Sequence, residues 1–225
     1  MSHIQENIRH LLSSLTETPC QLVAISKTKP VSDIMDAYEA GQRHFGENKV
    51  QELAAKYEEL PKDIKWHMVG HLQRNKVKYI APFVHLIHSI DSLKLLKEVN
   101  KQAEKAGRTI DCLLQVHIAE ESTKFGFGLE EITPLAQSDA LQSLEHVQVV
   151  GLMGMATFTE DESQIKREFS SLHTLFEHLK TIQLPDNVKM QELSMGMSGD
   201  YPLALACGST MIRVGSSIFG ARNYA

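Results

Sequence analysis

The stretch LVAISKTKP, Leu22 to Pro30, sets four apolar residues against Ser26, two lysines and a closing proline. A short apolar run with such an end reads as a buried strand whose C-terminus emerges from a core. A lysine at that mouth needs a partner or a task, because a charge beside an apolar core is costly.

The pattern recurs along the chain. Strands are expected at 22–26, 43–46, 64–69, 84–88, 110–117, 147–152, 189–193 and 210–214. Helices are expected near 31–40, 48–60, 74–80, 92–106, 130–143, 162–181 and 200–206, after an amphipathic opening helix carrying Ile4, Ile8, Leu11, Leu12 and Leu15. Short apolar strands alternating with helices imply parallel strands with crossover helices. Eight such units favour a single closed (β/α)8 barrel with an additional N-terminal helix, an open doubly wound sheet being the competing arrangement. The 225 residues then form one domain, 1–225, with compact loops. Asp91 is expected to cap the helix that follows it and Gly107 to stop it.

Composition narrows the function class. Charged residues make up 23 % and the net charge is −5, which argues against broad nucleic-acid binding. No apolar segment reaches about 18 residues and no signal-peptide core is present, so neither membrane attachment nor export is expected. Cys20, Cys112 and Cys207 match no zinc or C-x-x-C spacing, and an odd count suits a reducing cytoplasm. His67 and His71 flank Gly70 without an evident third ligand, so no metal site is expected.

Active sites of such barrels lie at the C-terminal ends of the strands. Lys27, Asn48, His67, Lys124, the segment Ser194–Gly199 and Gly215-Ser216-Ser217 all fall there. The last two segments, SMGMSG and VGSS, follow strands seven and eight, the usual phosphate-binding loops of this fold. Glycines let the backbone approach an anion, and serines and a helix start add donors. Strand alternation points Arg213 into the barrel mouth, where it needs an acceptor or a charge partner. Lys27, partly desolvated and near Lys29, is expected to have a lowered pKa and to attack an aldehyde as the neutral amine. A phosphorylated aldehyde cofactor, pyridoxal 5′-phosphate, fits this pairing. A phosphosugar aldolase would use the same geometry, so the residues alone leave the ligand open.

VAISKTKP, HFGENKVQE, WHMVGHLQRNK, STKFGF, LSMGMSGDY and GSTMIRVGSSIFG together resemble the successive motifs of the pyridoxal-phosphate homeostasis (YggS-like, proline synthetase co-transcribed) family, over essentially the whole chain. The resemblance implies a barrel like the N-terminal domain of alanine racemase. It implies Lys27 as the Schiff-base lysine, with Ser194, Gly215 and Ser216 at the phosphate and Ser209 and Thr210 as contributors. Arg213 would face the pyridine nitrogen and Asn48 would lie near the ring. It further implies binding and buffering or delivery of the cofactor in the cytoplasm, without classical turnover, in support of vitamin B6 and amino-acid homeostasis.

Racemase-like enzymes need a second, β-rich domain, and the barrel is expected to use nearly the whole chain, with only Asn223, Tyr224 and Ala225 after Arg222. The alternatives are an amino-acid racemase or decarboxylase using the same cofactor, and a regulatory protein that senses it. Expected partners are the cofactor and, transiently, apo-enzymes that accept it; the chain is expected to be a monomer or weak homodimer. Lys124 is a candidate second amine for cofactor transfer, or a solvated loop lysine. Gly151 and Gly154 are expected to let backbone pass close to the ring, Met153, Met155, Met190, Met195 and Met197 to pack around the mouth, and Gln73, Arg74, Asn75 and Lys76 to line its rim or a partner surface.

Overall fold

The computed structural model describes residues 2–120 and 125–220. Its strands are β1 (Gln21–Ile25), β2 (His44–Glu47), β3 (Lys65–Met68), β4 (Leu86–Ile90), β5 (Ile110–His117), β6 (Val147–Met155), β7 (Val188–Met197) and β8 (Met211–Val214). All pair in parallel and in chain order, and β1 closes the barrel on β8 through the pairs Gln21–Met211, Leu22–Ile212, Val23–Arg213 and Ala24–Val214. The open-sheet alternative falls with that closure.

The helices are α1 (His3–Ser14), α2 (Val31–Glu39), α3 (Val50–Glu59), α4 (Leu93–Lys105), α5 (Leu129–Ala136), α6 (Asp139–Gln142), α7 (Glu162–Thr181), α8 (Tyr201–Ala206) and α9 (Ser216–Phe219), with a 3-10 helix at Arg74–Tyr79. Alternation along each strand sorts the core into two layers. Phe45, Trp66, Leu114, Leu152 and Leu193 pack between sheet and helices, while Val23, Leu86, Leu113, Val150, Met153 and Met211 form a separate cluster. The second cluster fills the barrel interior, which is a packed core rather than a channel.

Several boundaries differ from expectation for local reasons. The expected helix 130–143 breaks into α5 and α6: Pro134 removes a backbone donor within α5, and Ser138 caps α6 by accepting from the Leu141 amide. Ser92, not Asp91, caps α4; its hydroxyl accepts from the Leu95 amide and donates to Asp91. Gly107 ends α4 in the left-handed conformation, as expected. β7 runs four residues further than the expected 193, which bears directly on the site.

Candidate functional site

A cavity of about 620 Å³ opens at the C-terminal end of the barrel. Lys27, Asn48, Arg213, Gly215 and Ser216 line it together, although they lie far apart in sequence. The Ala24–Val214 pairing sets the loop carrying Lys27 beside the turn that begins α9. A Cβ at Gly215 would sit 3.2 Å from the Ile25 carbonyl oxygen, so the two strand ends come together closely there. Its amide donates to Ser198 Oγ (3.1 Å), joining the loops after β7 and β8. The first-turn amides of Ser216 and Ser217 have no intrahelical acceptor. α9 is braced at its other end, where Lys29 donates to the Phe219 carbonyl (2.8 Å) and Asn7 of α1 to that of Ile218 (2.9 Å).

The Lys27 loop rests on a buried polar network. Thr28 has φ +65°, a left-handed conformation that costs a non-glycine residue about 1–2 kcal/mol. The buried Lys56 ammonium donates to the Ser26 carbonyl (2.8 Å), to Glu47 (2.8 Å) and to Glu52 (2.6 Å). The Ser26 hydroxyl donates to Glu47 (2.6 Å), and Glu52 accepts from the Thr28 amide (2.6 Å). These contacts flank Lys27 on both sides and hold the strained turn. Burial pushes the Glu47 carboxyl above its ordinary pKa, against the pull of Lys56 and of the Ser26 hydrogen bond. Sequence reading missed this network; the only local trace is the Glu52–Lys56 spacing, which suits a helical ion pair.

The cavity floor is Arg213. Its guanidinium donates to Ser194 Oγ (2.6 Å) and to the Gly154 carbonyl (3.0 Å). No carboxylate stands within ion-pair distance among the described residues, so the barrel-interior salt bridge is replaced by two neutral acceptors. Burial lowers the guanidinium to about 10, with Asp200 pulling the other way, so it stays charged at neutral pH. Below Ser194 a hydrogen-bonded line crosses the interior: Ser194 to His88 Nδ1, His88 Nε2 to His67 Nδ1, and His67 Nε2 to His44 Nδ1, each 2.9 Å. Arginine can only donate, so the Ser194 hydroxyl accepts from Arg213 and its own proton is available to His88 Nδ1; in that arrangement each ring donates through Nε2 as far as His44.

This line makes stability acid-sensitive. Burial holds His67 and His88 well below the ordinary histidine pKa, and neighbouring cationic and imidazole groups act in the same direction. In the unfolded chain both titrate near 6.5, so below that pH the unfolded state binds more protons. Their contribution is fully present above about pH 6.5 and is lost as pH falls toward the folded values. Two such groups remove about 3 kcal/mol between pH 7.5 and 5.5. Urea unfolding at the two pH values checks this; equal stabilities would show that the rings are not kept neutral.

Other expected residues lie elsewhere. Because β7 continues to Met197, Ser194 sits within the strand, fully buried beneath Arg213, and Ser198 and Gly199 are the β7-loop residues that line the cavity. Ser209 and Thr210 precede β8, at the opposite end from Gly215. The Ser209 hydroxyl donates to backbone carbonyls, and that of Thr210 donates to Glu192 (2.7 Å) and accepts from the Leu193 amide (2.8 Å). Both therefore drop out of the cavity. A Cβ at Gly151 would lie 1.7 Å from the Glu192 carbonyl oxygen, and one at Gly154 would meet Leu172 and Ile118. These glycines thus serve strand and helix packing rather than close approach to a ligand. Met155 and Met197 line the cavity, whereas Met153, Met190 and Met195 are buried. Gln73, Arg74 and Asn75 line a separate cleft with His71, whose Nδ1 lies 3.2 Å from Asp91. Lys124 lies outside the described residues.

Residues 1–223 match the family model described as the alanine racemase N-terminal domain, which defines the class of barrel. A pyridoxal phosphate homeostasis protein of Pasteurella multocida is 39 % identical over 230 residues, spanning 100 % of this chain and 97 % of that protein. The chain belongs to the pyridoxal phosphate homeostasis protein family. PipY of Synechococcus elongatus, solved with PLP bound, is 38 % identical with a TM-score of 0.85, covering 96 % of this chain and 100 % of that one. Alanine racemase of E. faecalis shares the fold at 16 % identity and TM-score 0.75, matching 98 % of this chain but 58 % of the enzyme. Among the described residues no helix is long and apolar enough to cross a membrane.

Proposed function

We propose that this chain binds pyridoxal 5′-phosphate in the barrel-mouth cavity, covalently through Lys27, and buffers or delivers it in the cytoplasm without turning over amino acids. The observation that carries the reading is that an amine, Lys27, and the turn Gly215-Ser216, which begins a helix, sit on adjoining strand ends of one cavity floored by a buried arginine. These residues fit a phosphorylated aldehyde: an amine for the carbonyl, donors for the anion and a cation beneath the ring. When bound, the cofactor supplies the aldehyde carbon that forms the Schiff base with Lys27.

The remaining roles belong to the chain. The Lys56 network orients the Lys27 loop. Ser198 ties the β7 loop to Gly215, and the amides of α9 with the Ser216 hydroxyl receive the phosphate. Arg213 cannot accept a proton, so it disfavours a charged pyridinium and keeps the ring a weak electron sink. Asn48 lines the cavity and would border the ring of a bound cofactor. An enzyme on this scaffold would need an acid and a base placed over the ring faces. The lining offers Lys29, Glu160 and Asp200 as titratable groups, so the carrier reading rests on the family and not on the lining. The unit proposed is residues 1–225, as a monomer or weak dimer.

Ser216→Asp removes a hydroxyl donor and adds a like charge, so cofactor affinity is expected to fall at least about tenfold, or about 1.4 kcal/mol. Equilibrium dialysis against pyridoxal phosphate measures it; unchanged affinity would move the phosphate elsewhere. The function is tested by incubating loaded protein with an apo-enzyme acceptor while free cofactor is trapped, beside a chiral and mass screen of free amino acids. Delivery faster than from a heat-denatured control, with no turnover above background, is expected. Lys124→Ala should slow delivery if that lysine is a transfer amine. Robust turnover abolished by Lys27→Ala would instead make the protein an enzyme.

A further inference from the structure

A second convergence of side chains lies at the opposite, N-terminal end of the barrel. His44 begins β2, His67 lies within β3, and His85 immediately precedes β4. One ring nitrogen from each falls within 4.8 Å of the others. The ring centroids form a near-equilateral triangle, 5.2 Å for His44–His67, 5.3 Å for His67–His85 and 5.6 Å for His44–His85. We propose that these three imidazoles bind one divalent transition-metal ion of borderline softness, such as Zn²⁺ or Co²⁺, with a fourth position open to water.

Geometry and chemistry both favour such an ion. Zinc–nitrogen bonds of about 2.0–2.1 Å in a tetrahedron set the ligand nitrogens about 3.3 Å apart. The His44–His67 pair already stands at 2.9 Å, and His44 and His85 are only half-buried, so their rings can swing to close the third side. His67 is fully buried and its other nitrogen contacts His88 at 2.9 Å. A hydrogen bond on the far nitrogen is what fixes the orientation of a metal-bound histidine. Lys65 and Arg108 oppose a cation here, but Lys65 is exposed and Arg108 donates to the Ala81 and Val84 carbonyls (2.8 and 2.9 Å). They lower the affinity without filling the site.

Metal binding has a signature within the histidine line. In the arrangement where Ser194 donates to His88, metal-free His67 carries its proton on Nε2 and donates to His44. Ligation through Nε2 requires the proton on Nδ1, which then donates to His88 Nε2. His88 in turn shifts its proton to Nδ1, and the Ser194 hydroxyl turns away from it. No net proton is gained or lost.

The test uses the full chain, stripped with a chelator and titrated with Zn²⁺ by calorimetry and with Co²⁺ by visible absorption. One-to-one binding is expected, weakened at least tenfold in His85→Gln and in His44→Gln, both at half-exposed positions. Long-range proton–nitrogen NMR should show His67 changing from the Nε2–H to the Nδ1–H tautomer on adding Zn²⁺. The proposal is overturned by absence of saturable binding, by binding that neither substitution weakens, or by a His67 ring that keeps its Nε2 proton in the presence of metal.

Discussion

Lys27→Ala protein, mixed with pyridoxal phosphate, is expected to remain without the visible absorbance that the native chain acquires. It should still bind the cofactor weakly through its phosphate. Two attachments on one rigid ligand reinforce each other through effective concentration, so loss of the covalent one should weaken retention by on the order of 10²-fold or more. The substitution is expected to leave the fold in place: Lys27 is only half-buried, and the Lys56 network holds the loop through the Ser26 hydroxyl and carbonyl and the Thr28 amide. Absorbance and equilibrium dialysis on the two proteins measure both parts. Equal retention by the two proteins would show that Lys27 holds nothing.

The second large effect is expected at Lys56. Its ammonium is the only cation within ion-pair distance of the Glu47 carboxylate among the described residues, and the Glu47 side chain is wholly buried. Lys56→Met leaves that charge uncompensated, at a cost of about 3–5 kcal/mol. Burial already raises the Glu47 pKa, and removal of the cation raises it further. A carboxyl with a raised folded pKa contributes stability below its unfolded value and loses it as pH rises through the folded value. The deficit of Lys56→Met relative to wild type should therefore be larger at pH 8 than at pH 5.5. Adding Glu47→Gln should recover much of it. Denaturant unfolding of the single and double variants decides the matter; an uncoupled, pH-independent loss would mean that only packing was removed. The single variant should also bind cofactor more weakly, because the strained Thr28 turn loses its support.

The barrel was legible because its strands announce themselves. LVAI, CLLQV and MIRV are largely apolar runs of the kind that a doubly covered parallel sheet buries, and their chain order became their spatial order. That Lys27, Asn48, Arg213, Gly215 and Ser216 meet at one end of the barrel was equally legible, since each follows or ends such a run. Ser194 was misplaced because polar Ser194 and small Gly196 look like a loop, whereas the strand continues through them to Met197. Ser209 and Thr210 were grouped with the phosphate loops by proximity in sequence, although a four-residue strand carries them to the far end of the barrel. The Glu47–Lys56 pair and the histidine line were hidden for a different reason. Glu47 meets Lys56 only when α3 folds back on the end of β2, and the histidine line forms only when strands two, three, four and seven surround one interior; no local pattern encodes either meeting.

The most direct test of the account is borohydride reduction of the native chain after incubation with pyridoxal phosphate, followed by peptide mass mapping. A single pyridoxyl adduct on Lys27 is expected, with loss of the visible band on reduction. An adduct confined to other lysines, or none at all, would contradict it.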